Sequence, residues 1–181
     1  MPNRYTATAI ALHWIMAAGL IGAFGLGVYM HELPFSPDKL RLYSWHKWAG
    51  VTLFMLVLAR IAWRAGHRPP ALPATMSPLT RHAATLVHLA LYLLMLAIPI
   101  SGWLMSSAKG VATVWFGVLP LPDLVAKDKA LGDLLFEVHK ALNLSLLALV
   151  IAHVGAALKH RFVDRDDVLA RMLPAPKGER K

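Results

Sequence analysis

The chain lacks cysteine altogether and carries little charge. None of its 181 residues is cysteine, which excludes disulfides, iron–sulfur clusters, cysteine-ligated zinc and thiolate ligation of any metal. Only 16% of the residues are charged, against about 25% in ordinary soluble domains, whereas 57% are hydrophobic. Acidic residues are the scarcer charged class, with 10 against 19 lysines and arginines. This composition predicts an integral membrane protein of one domain.

Four apolar stretches are each long enough to cross a bilayer, since a spanning helix needs about 20 mostly apolar residues. They predict spans at about residues 6–30, 40–63, 78–107 and 131–162, followed by a polar tail over 163–181. The first stretch is too long for a signal peptide and lacks a small-residue cleavage site, so we expect it to remain as a span. The predicted fold class is therefore all-α, an integral membrane four-helix bundle.

The linker over 108–130 is the longest, and we expect it to lie on the membrane surface. Its Trp115 and Phe116 belong, with Trp45 and Trp48, to the residue types that favour the membrane–water interface. Pro99, inside the third span, predicts a helix kink. We expect the tail to end in a short helix followed by disorder.

Basic residues crowd one side of the predicted membrane. Four spans place both chain ends on the same side, and that side collects twelve lysines and arginines with four acidic residues, against seven and six on the other. The positive-inside rule then predicts that both termini are cytoplasmic. This explains the net charge of +9 better than a nucleic-acid partner does, and no nucleic acid is expected.

Four histidines of the predicted spans lie at two matching depths, namely His13, His46, His139 and His153. An ionisable side chain in a membrane helix is costly and usually functional, and imidazole is a common metal ligand. His139 and His153 are 14 residues apart, which is about 21 Å of helix and two heptads, so both project from one face. One helix therefore offers two ligands at two levels.

The remaining two histidines match these levels in depth. His46 and His139 lie about 9–12 Å from one membrane surface, and His13 and His153 about 10–14 Å from the other. We call His46 and His139 the outer pair, and His13 and His153 the inner pair. Two imidazoles that fill both axial positions of an iron suit electron transfer, so the pattern predicts two haems.

Two alternatives to haem remain open for these histidines. A zinc or other metal ion would normally use carboxylate or thiolate ligands, and no acidic residue lies deep in a span. Hydrogen bonding of each histidine to a neighbouring helix is the other alternative. Several glycines near the histidines suit a flat porphyrin surface, or equally close helix packing: Gly19, Gly22, Gly25, Gly50 and Gly155.

A set of short motifs in fixed order resembles the bacterial cytochrome b561 family of small four-helix di-haem cytochromes. The motifs are Arg4-Tyr5, Leu12-His13-Trp14, His46 with Gly50 and Arg60, His88 to Tyr92, Pro99 to Gly102, His139, and His153 to His160. The resemblance covers about Arg4 to Pro174. It implies two haems b with His13, His46, His139 and His153 as axial iron ligands, a location in the bacterial inner membrane, and ubiquinone as a partner on the cytoplasmic side.

Some family members resemble superoxide oxidases, so the resemblance implies superoxide:ubiquinone oxidoreduction in contact with lipid, with no protein partner required. One alternative is an electron-transfer subunit that links the quinone pool to a partner dehydrogenase or hydrogenase. A non-enzymatic metal transporter or sensor is a further alternative. On the outer side, lysines such as Lys47, Lys109, Lys127 and Lys140 either steer an anion toward the outer haem or belong to a mixed solvated surface.

Three further side chains are candidates for the quinone site or for binding haem propionates. His160 lies seven residues past His153 and is otherwise an interfacial histidine at a helix end. His88 lies near the inner level and is otherwise a packed structural histidine or a substitute for His153. Arg60 either pairs with a propionate or snorkels to the surface. No residue is assigned a catalytic role.

Overall fold

Four long helices make up most of the computed structural model, which describes residues 4–73 and 76–174. They are α1 (Ala7–Glu32), α2 (Pro37–Gly66), α3 (Pro78–Ala108) and α4 (Lys129–Lys159). All four are long and apolar enough to cross a membrane. The predicted all-α, four-helix architecture is therefore confirmed. Each helix contains most of one predicted apolar stretch, and α2 begins three residues before that stretch and ends three residues after it.

Each helix begins at a capping side chain that the sequence supplies. Thr6, Ser36, Ser77 and Asp128 precede the four helices, and each side-chain oxygen accepts the backbone N–H three residues further on. Proline occupies the first position of α2 and of α3, where its missing N–H costs no hydrogen bond. These caps explain why the helices begin where they do.

The helices pack in chain order, α1 on α2, α2 on α3, and α3 on α4. Few apolar side chains are buried within the bundle, among them Met16, Leu53 and Val57. Most large apolar side chains on the spans face outward instead, such as Ile21 at 72% and Leu86 at 65% exposure. A surface of this kind is stable only against lipid tails, because in water it would form an apolar patch far larger than soluble monomers tolerate.

The linker between α3 and α4 folds into a small antiparallel hairpin, which the sequence did not predict. Strand β1 (Thr113–Trp115) pairs with β2 (Leu119–Leu121). Phe116 and Gly117 in the connecting turn both have positive φ, at 51° and 73°. The hairpin is tied to α2, because the Trp48 indole donates to the Val114 carbonyl and the Lys47 ammonium donates to the carbonyls of Val111 and Ala112.

The opposite end of the bundle holds the first and the last of the described residues. After α4 the chain makes a π-helical turn (His160–Asp164) and a 3₁₀ turn (Ala170–Met172). The tail returns to α1, where the Trp14 indole donates to the Met172 carbonyl and Arg4 donates to the Leu173 carbonyl. The short helix expected in the tail is present as this 3₁₀ turn, whereas the disorder expected after it falls on residues 175–181, outside the described residues.

Candidate functional site

The outer pair faces across the bundle near its hairpin end. His46 projects from α2 and His139 from α4, and their ring centroids lie 6.4 Å apart with an interplanar angle of 83°. Both side chains are only partly exposed. The predicted association of these two histidines therefore exists in space, although they are 93 positions apart in the sequence.

Two glycines lie directly against the outer pair. A Cβ built on Gly27 would lie 3.1 Å from Cε1 of His46, and a Cβ built on Gly102 would lie 3.1 Å from Cε1 of His139. Such distances are too short for comfortable contact, so the absence of a side chain lets each ring pack against the helix backbone. Gly27 is not among the glycines that the sequence pattern indicated as a flat surface beside the histidines.

Those other glycines have different surroundings. A Cβ on Gly19 would lie 2.8 Å from Leu53, so this glycine permits close packing of α1 on α2. Gly22, Gly25, Gly50 and Gly155 have no heavy atom of the described residues within 4 Å of the Cβ position, apart from their own local backbone. Helix packing, the alternative left open, is the role that the structure gives to Gly19.

The two rings of the outer pair differ in their hydrogen bonds. Nδ1 of His139 lies 2.9 Å from Oγ of Ser101 and 3.1 Å from the Ile98 carbonyl oxygen. Nδ1 of His46 is buried and makes no hydrogen bond of ordinary geometry with the described residues, although the Ala23 carbonyl approaches it.

The two rings of the inner pair face each other across the bundle, toward the end opposite the hairpin. The ring centroids of His13, on α1, and His153, on α4, lie 6.2 Å apart at an interplanar angle of 68°. A third imidazole joins them, because the ring of His88, on α3, lies 5.2 Å from that of His153. Nδ1 of His88 lies 2.7 Å from the Ala84 carbonyl, so this nitrogen carries the hydrogen and Nε2 has a free lone pair.

Arg60 points into the bundle and is held between two other helices. Its Nε donates to the Tyr92 hydroxyl on α3 at 3.0 Å, and another guanidinium nitrogen donates to the Ala9 carbonyl on α1 at 2.9 Å. A pocket at this end of the bundle is lined by Arg60 with Arg4, Arg64 and Arg68. None of its lining residues is acidic, so the pocket suits an anionic group such as a carboxylate.

His160 lies apart from the inner pair, in the π-helical turn. Its Nδ1 lies 2.7 Å from a carboxylate oxygen of Asp166 and 3.3 Å from one of Asp164. Asp164 also accepts from the Lys159 ammonium at 2.7 Å. Asp164 lies four residues after His160 in the same π-helical turn, whereas Asp166 follows Arg165, whose positive φ of 54° ends that turn. The sequence pattern alone indicates neither contact.

Most basic residues near the hairpin end already have partners. Arg41, Lys129 and Lys140 each pair with an acidic residue on the same helix. Lys47 bonds the hairpin carbonyls, as described above, and Lys39 donates to the carbonyls of His31 and Leu33. Lys109 instead lies over the ring of Phe136 at 5.0 Å, and His31 stacks on the same ring at 5.5 Å.

Phe136 lies one turn before His139 on α4, so Lys109, Phe136 and His31 form a contact group on the hairpin side of the outer pair. The lysines at the hairpin end are thus not gathered into one patch. Lys109 is the cation that lies against Phe136.

The geometry of both pairs fits a metal held between two imidazoles. A nitrogen of imidazole binds a metal at about 2 Å, and the ring centre lies about 1.1 Å behind that nitrogen, so two axial imidazoles separate their centres by about 6.3 Å. The observed separations are 6.4 and 6.2 Å. None of the four imidazoles forms an ion pair with a carboxylate among the described residues. A purely nitrogenous pair in apolar surroundings fits haem iron better than zinc.

Comparison with known proteins gives matches along nearly the whole chain. A family model described as prokaryotic cytochrome b561 matches residues 4–175. The chain is 39% identical over 173 residues to a protein of Escherichia coli strain K12 named cytochrome b561 homolog 2, covering 95% of this chain and 92% of that protein.

Two further relatives cover equally large shares. Cytochrome b561 homolog 1 of the same strain is 28% identical over 184 residues, covering 97% of this chain and 99% of the relative. A Yersinia pestis protein named probable superoxide oxidase CybB is 27% identical over 181 residues, covering 98% and 100%.

Proposed function

The chain belongs to the prokaryotic cytochrome b561 family of membrane electron-transfer proteins, which implies b-type haem, and from this premise we propose that it oxidises superoxide and reduces ubiquinone. The observation that carries the proposal is the pair of facing imidazoles at each of two levels, with ring separations of 6.4 and 6.2 Å. The balanced reaction converts two superoxide anions, one ubiquinone and two protons into two molecules of oxygen and one ubiquinol.

We assign the axial iron ligands to the outer pair, His46 and His139, and to the inner pair, His13 and His153. Haem bound at both levels supplies one-electron carriers that connect the two faces of the membrane. Two axial imidazoles leave no open iron position, which favours electron transfer over oxygen binding. The chain's own contribution is to hold the four rings, exclude water from the bundle and shape an approach at each face.

The inner level contains the groups that a quinone or a haem carboxylate needs. Arg60 is fixed by Tyr92 and Ala9, and it presents a guanidinium to the inner level rather than snorkelling. We assign it to a haem propionate. His88 retains a free Nε2 beside His153 and remains a second propionate or quinone candidate, since its ring centroid lies 5.2 Å from that of His153.

Quinone reduction consumes protons, and His160 is the proposed proton donor at that face. Its Nδ1 is bonded to the Asp166 carboxylate, which orients the ring. The other ring nitrogen is left for a quinone carbonyl. The two interpretations of His160, a quinone-site residue and a histidine at a helix end, are compatible. The histidine follows the end of α4 and also has a carboxylate partner.

Superoxide is an anion, and the Lys109 ammonium lies over the ring of Phe136, one turn before His139 on α4. His31 stacks on the same ring, and neither Lys109 nor His31 forms an ion pair with a carboxylate among the described residues. Positive charge beside a narrow approach raises the local concentration of an anion. The name of the 27% identical relative, probable superoxide oxidase CybB, gives independent support for this substrate.

We further propose that the chain forms one transmembrane domain in a bacterial inner membrane with both termini in the cytoplasm. The support is the excess of arginine and lysine in the segments at the end of the bundle opposite the hairpin. This orientation places the outer pair near the periplasmic surface, where superoxide arrives, and the inner pair near the cytoplasmic surface, where protons are taken up.

A second function, an electron-transfer subunit that links the quinone pool to a dehydrogenase or hydrogenase, has one observation in its favour. The 39% identical relative is named only cytochrome b561 homolog 2, without an oxidase activity. In that case a protein partner would replace superoxide at the outer face, while both haem sites would be unchanged.

Stopped-flow mixing of the purified, lipid-reconstituted protein with superoxide and a short-chain ubiquinone separates these functions. We expect ubiquinol and oxygen in a ratio of one to two, complete loss of the reaction when superoxide dismutase is present, and strong loss in His139→Ala. Haem that is reduced by dithionite but reacts with superoxide no faster than spontaneous dismutation would contradict the oxidase and favour the subunit.

A further inference from the structure

Ser101 lies against the ring of His139, and we propose that it is a positioning residue that fixes the tautomer and the ring plane of this outer-pair imidazole. Its side chain is buried, at 6% exposure, and its Oγ lies 2.9 Å from Nδ1 of His139. The inference rests on the proposed function, because it takes His139 as an axial ligand. It assigns to Ser101 the orientation of the His139 ring relative to the iron.

The directions of the hydrogen bonds follow from the chemistry of the partners. Oγ of Ser101 lies 2.8 Å from the Ile98 carbonyl oxygen, which only accepts, so the serine hydroxyl donates to it. The serine oxygen then has lone pairs for His139. Nδ1 of His139 also lies 3.1 Å from the same carbonyl oxygen, so Nδ1 must carry the hydrogen and share it between two acceptors. Nε2 of His139 is left with the lone pair that binds iron.

The two acceptors for Nδ1 of His139 lie close together on α3, on either side of Pro99. Gly102 completes the arrangement, since the lack of a Cβ lets the ring of His139 approach the backbone. Residues 98–102 thus form a single cradle for one imidazole.

The outer pair is therefore asymmetric, because Nδ1 of His139 has a hydroxyl and a carbonyl partner, whereas only the Ala23 carbonyl approaches the ring of His46. An imidazole whose N–H is bonded to an acceptor is a stronger donor to the metal, and its orientation is fixed. Stronger donation stabilises the oxidised iron. Ser101 is thus expected to lower the reduction potential of the outer haem and to hold the near-perpendicular ring arrangement of 83°.

The test is Ser101→Ala in the full-length protein, followed by redox titration and low-temperature EPR of the ferric haems. We expect two haems per chain to be retained, the potential of one haem to rise, and its low-spin EPR signal to move, because the ring rotates toward the Ile98 carbonyl alone. The other haem is expected to be unchanged. Ser101→Thr, which keeps the hydroxyl, should restore the wild-type potential.

Ser145→Ala is the matched control, because Ser145 lies on α4 and its hydroxyl donates only to the Ala141 carbonyl of its own helix. It should alter neither haem. Unchanged potential and EPR in Ser101→Ala would overturn the inference. If instead His139→Ala still binds two haems, the proposed ligand set fails, and this outcome is distinct from a failure of the role of Ser101.

Discussion

Gly27 and Gly102 are the residues whose small size allows the outer pair to exist. Each lies where a methyl group would be 3.1 Å from an imidazole carbon, one against His46 and the other against His139. Glycine in the middle of a helix costs roughly 1 kcal/mol relative to alanine, so its presence at both contacts needs a compensating gain. That gain is the close approach of an imidazole ring to the helix backbone.

Alanine at Gly27 or Gly102 is expected to displace its histidine. The added methyl group crowds the ring, and overpacking of this kind typically costs about 1–3 kcal/mol. We expect one haem to be lost or its absorption and EPR signals to shift, with the other unaffected, as measured by haem content and reduced-minus-oxidised spectra. Gly66→Ala is the control, since a Cβ there meets none of the described residues within 4 Å. Equal spectra in all three variants would show that the two glycines do not constrain the ligands.

At the scale of the elements, the helices follow from local sequence, whereas the site depends on contacts between distant segments. Capping residues such as Ser36 and Asp128 and the apolar stretches are enough to predict four helices. The depth of each histidine follows from helix rise alone, which is why the two levels could be predicted.

Other parts of the site leave no local signal in the sequence. Ser101 contacts a residue 38 positions away, and Gly27 becomes significant only when α2 is packed against α1. The sequence does not indicate the hairpin, because Phe116, a bulky residue, adopts in its turn the positive φ that usually indicates glycine or asparagine.

The tail after α4 is an element held by specific bonds rather than a loose end over its described residues. Arg171 pairs with Asp167 at 2.8 Å and donates to the Ala71 carbonyl, and its own carbonyl accepts from the Tyr5 amide. The hydrogen bond from Arg171 lowers the pKa of Asp167 below its usual 3.8. The contribution of this hydrogen bond to the stability of the fold is therefore complete above the usual pKa of Asp167. It is lost as the pH falls through the lowered pKa.

Arg171→Ala is expected to release the tail from the rest of the bundle. The change removes both side-chain contacts, so amide hydrogens over residues 166–173 should exchange faster in mass-spectrometric hydrogen exchange, while α1 to α4 keep their protection. Arg161→Ala is the matched control, because Arg161 is exposed and forms no ion pair with the described residues. Identical exchange in the two variants would mean that Arg171 does not hold the tail.

At the scale of the whole molecule, the fold places charge and apolar surface to suit a membrane. The outward faces of the four helices are apolar, and the two ends differ in charge. The orientation that this charge difference predicts places the hairpin on the periplasmic side of the membrane and the tail on the cytoplasmic side. The same orientation gives each histidine pair its own face of the membrane, as vectorial electron transfer requires.

The absence of cysteine makes this orientation simple to test, because any introduced cysteine is the only thiol in the chain. Asp123 follows the hairpin and Arg68 lies between α2 and α3, and both are exposed. In intact spheroplasts, a membrane-impermeant maleimide should label Asp123→Cys and should label Arg68→Cys only after lysis. The reverse pattern would show that the termini lie outside, which would also move the superoxide site to the inner pair.

The most direct test of the account is the haem-to-protein ratio of the wild-type protein and of single histidine variants, measured by pyridine haemochrome. We predict two haems per chain in the wild type and one in each of His139→Ala and His13→Ala, with different residual spectra because different haems remain. His67→Ala, which changes an exposed histidine stacked on Trp63, should retain two. A wild-type ratio near zero, or two haems retained in either ligand variant, would contradict the assignment of the facing histidine pairs as haem ligands.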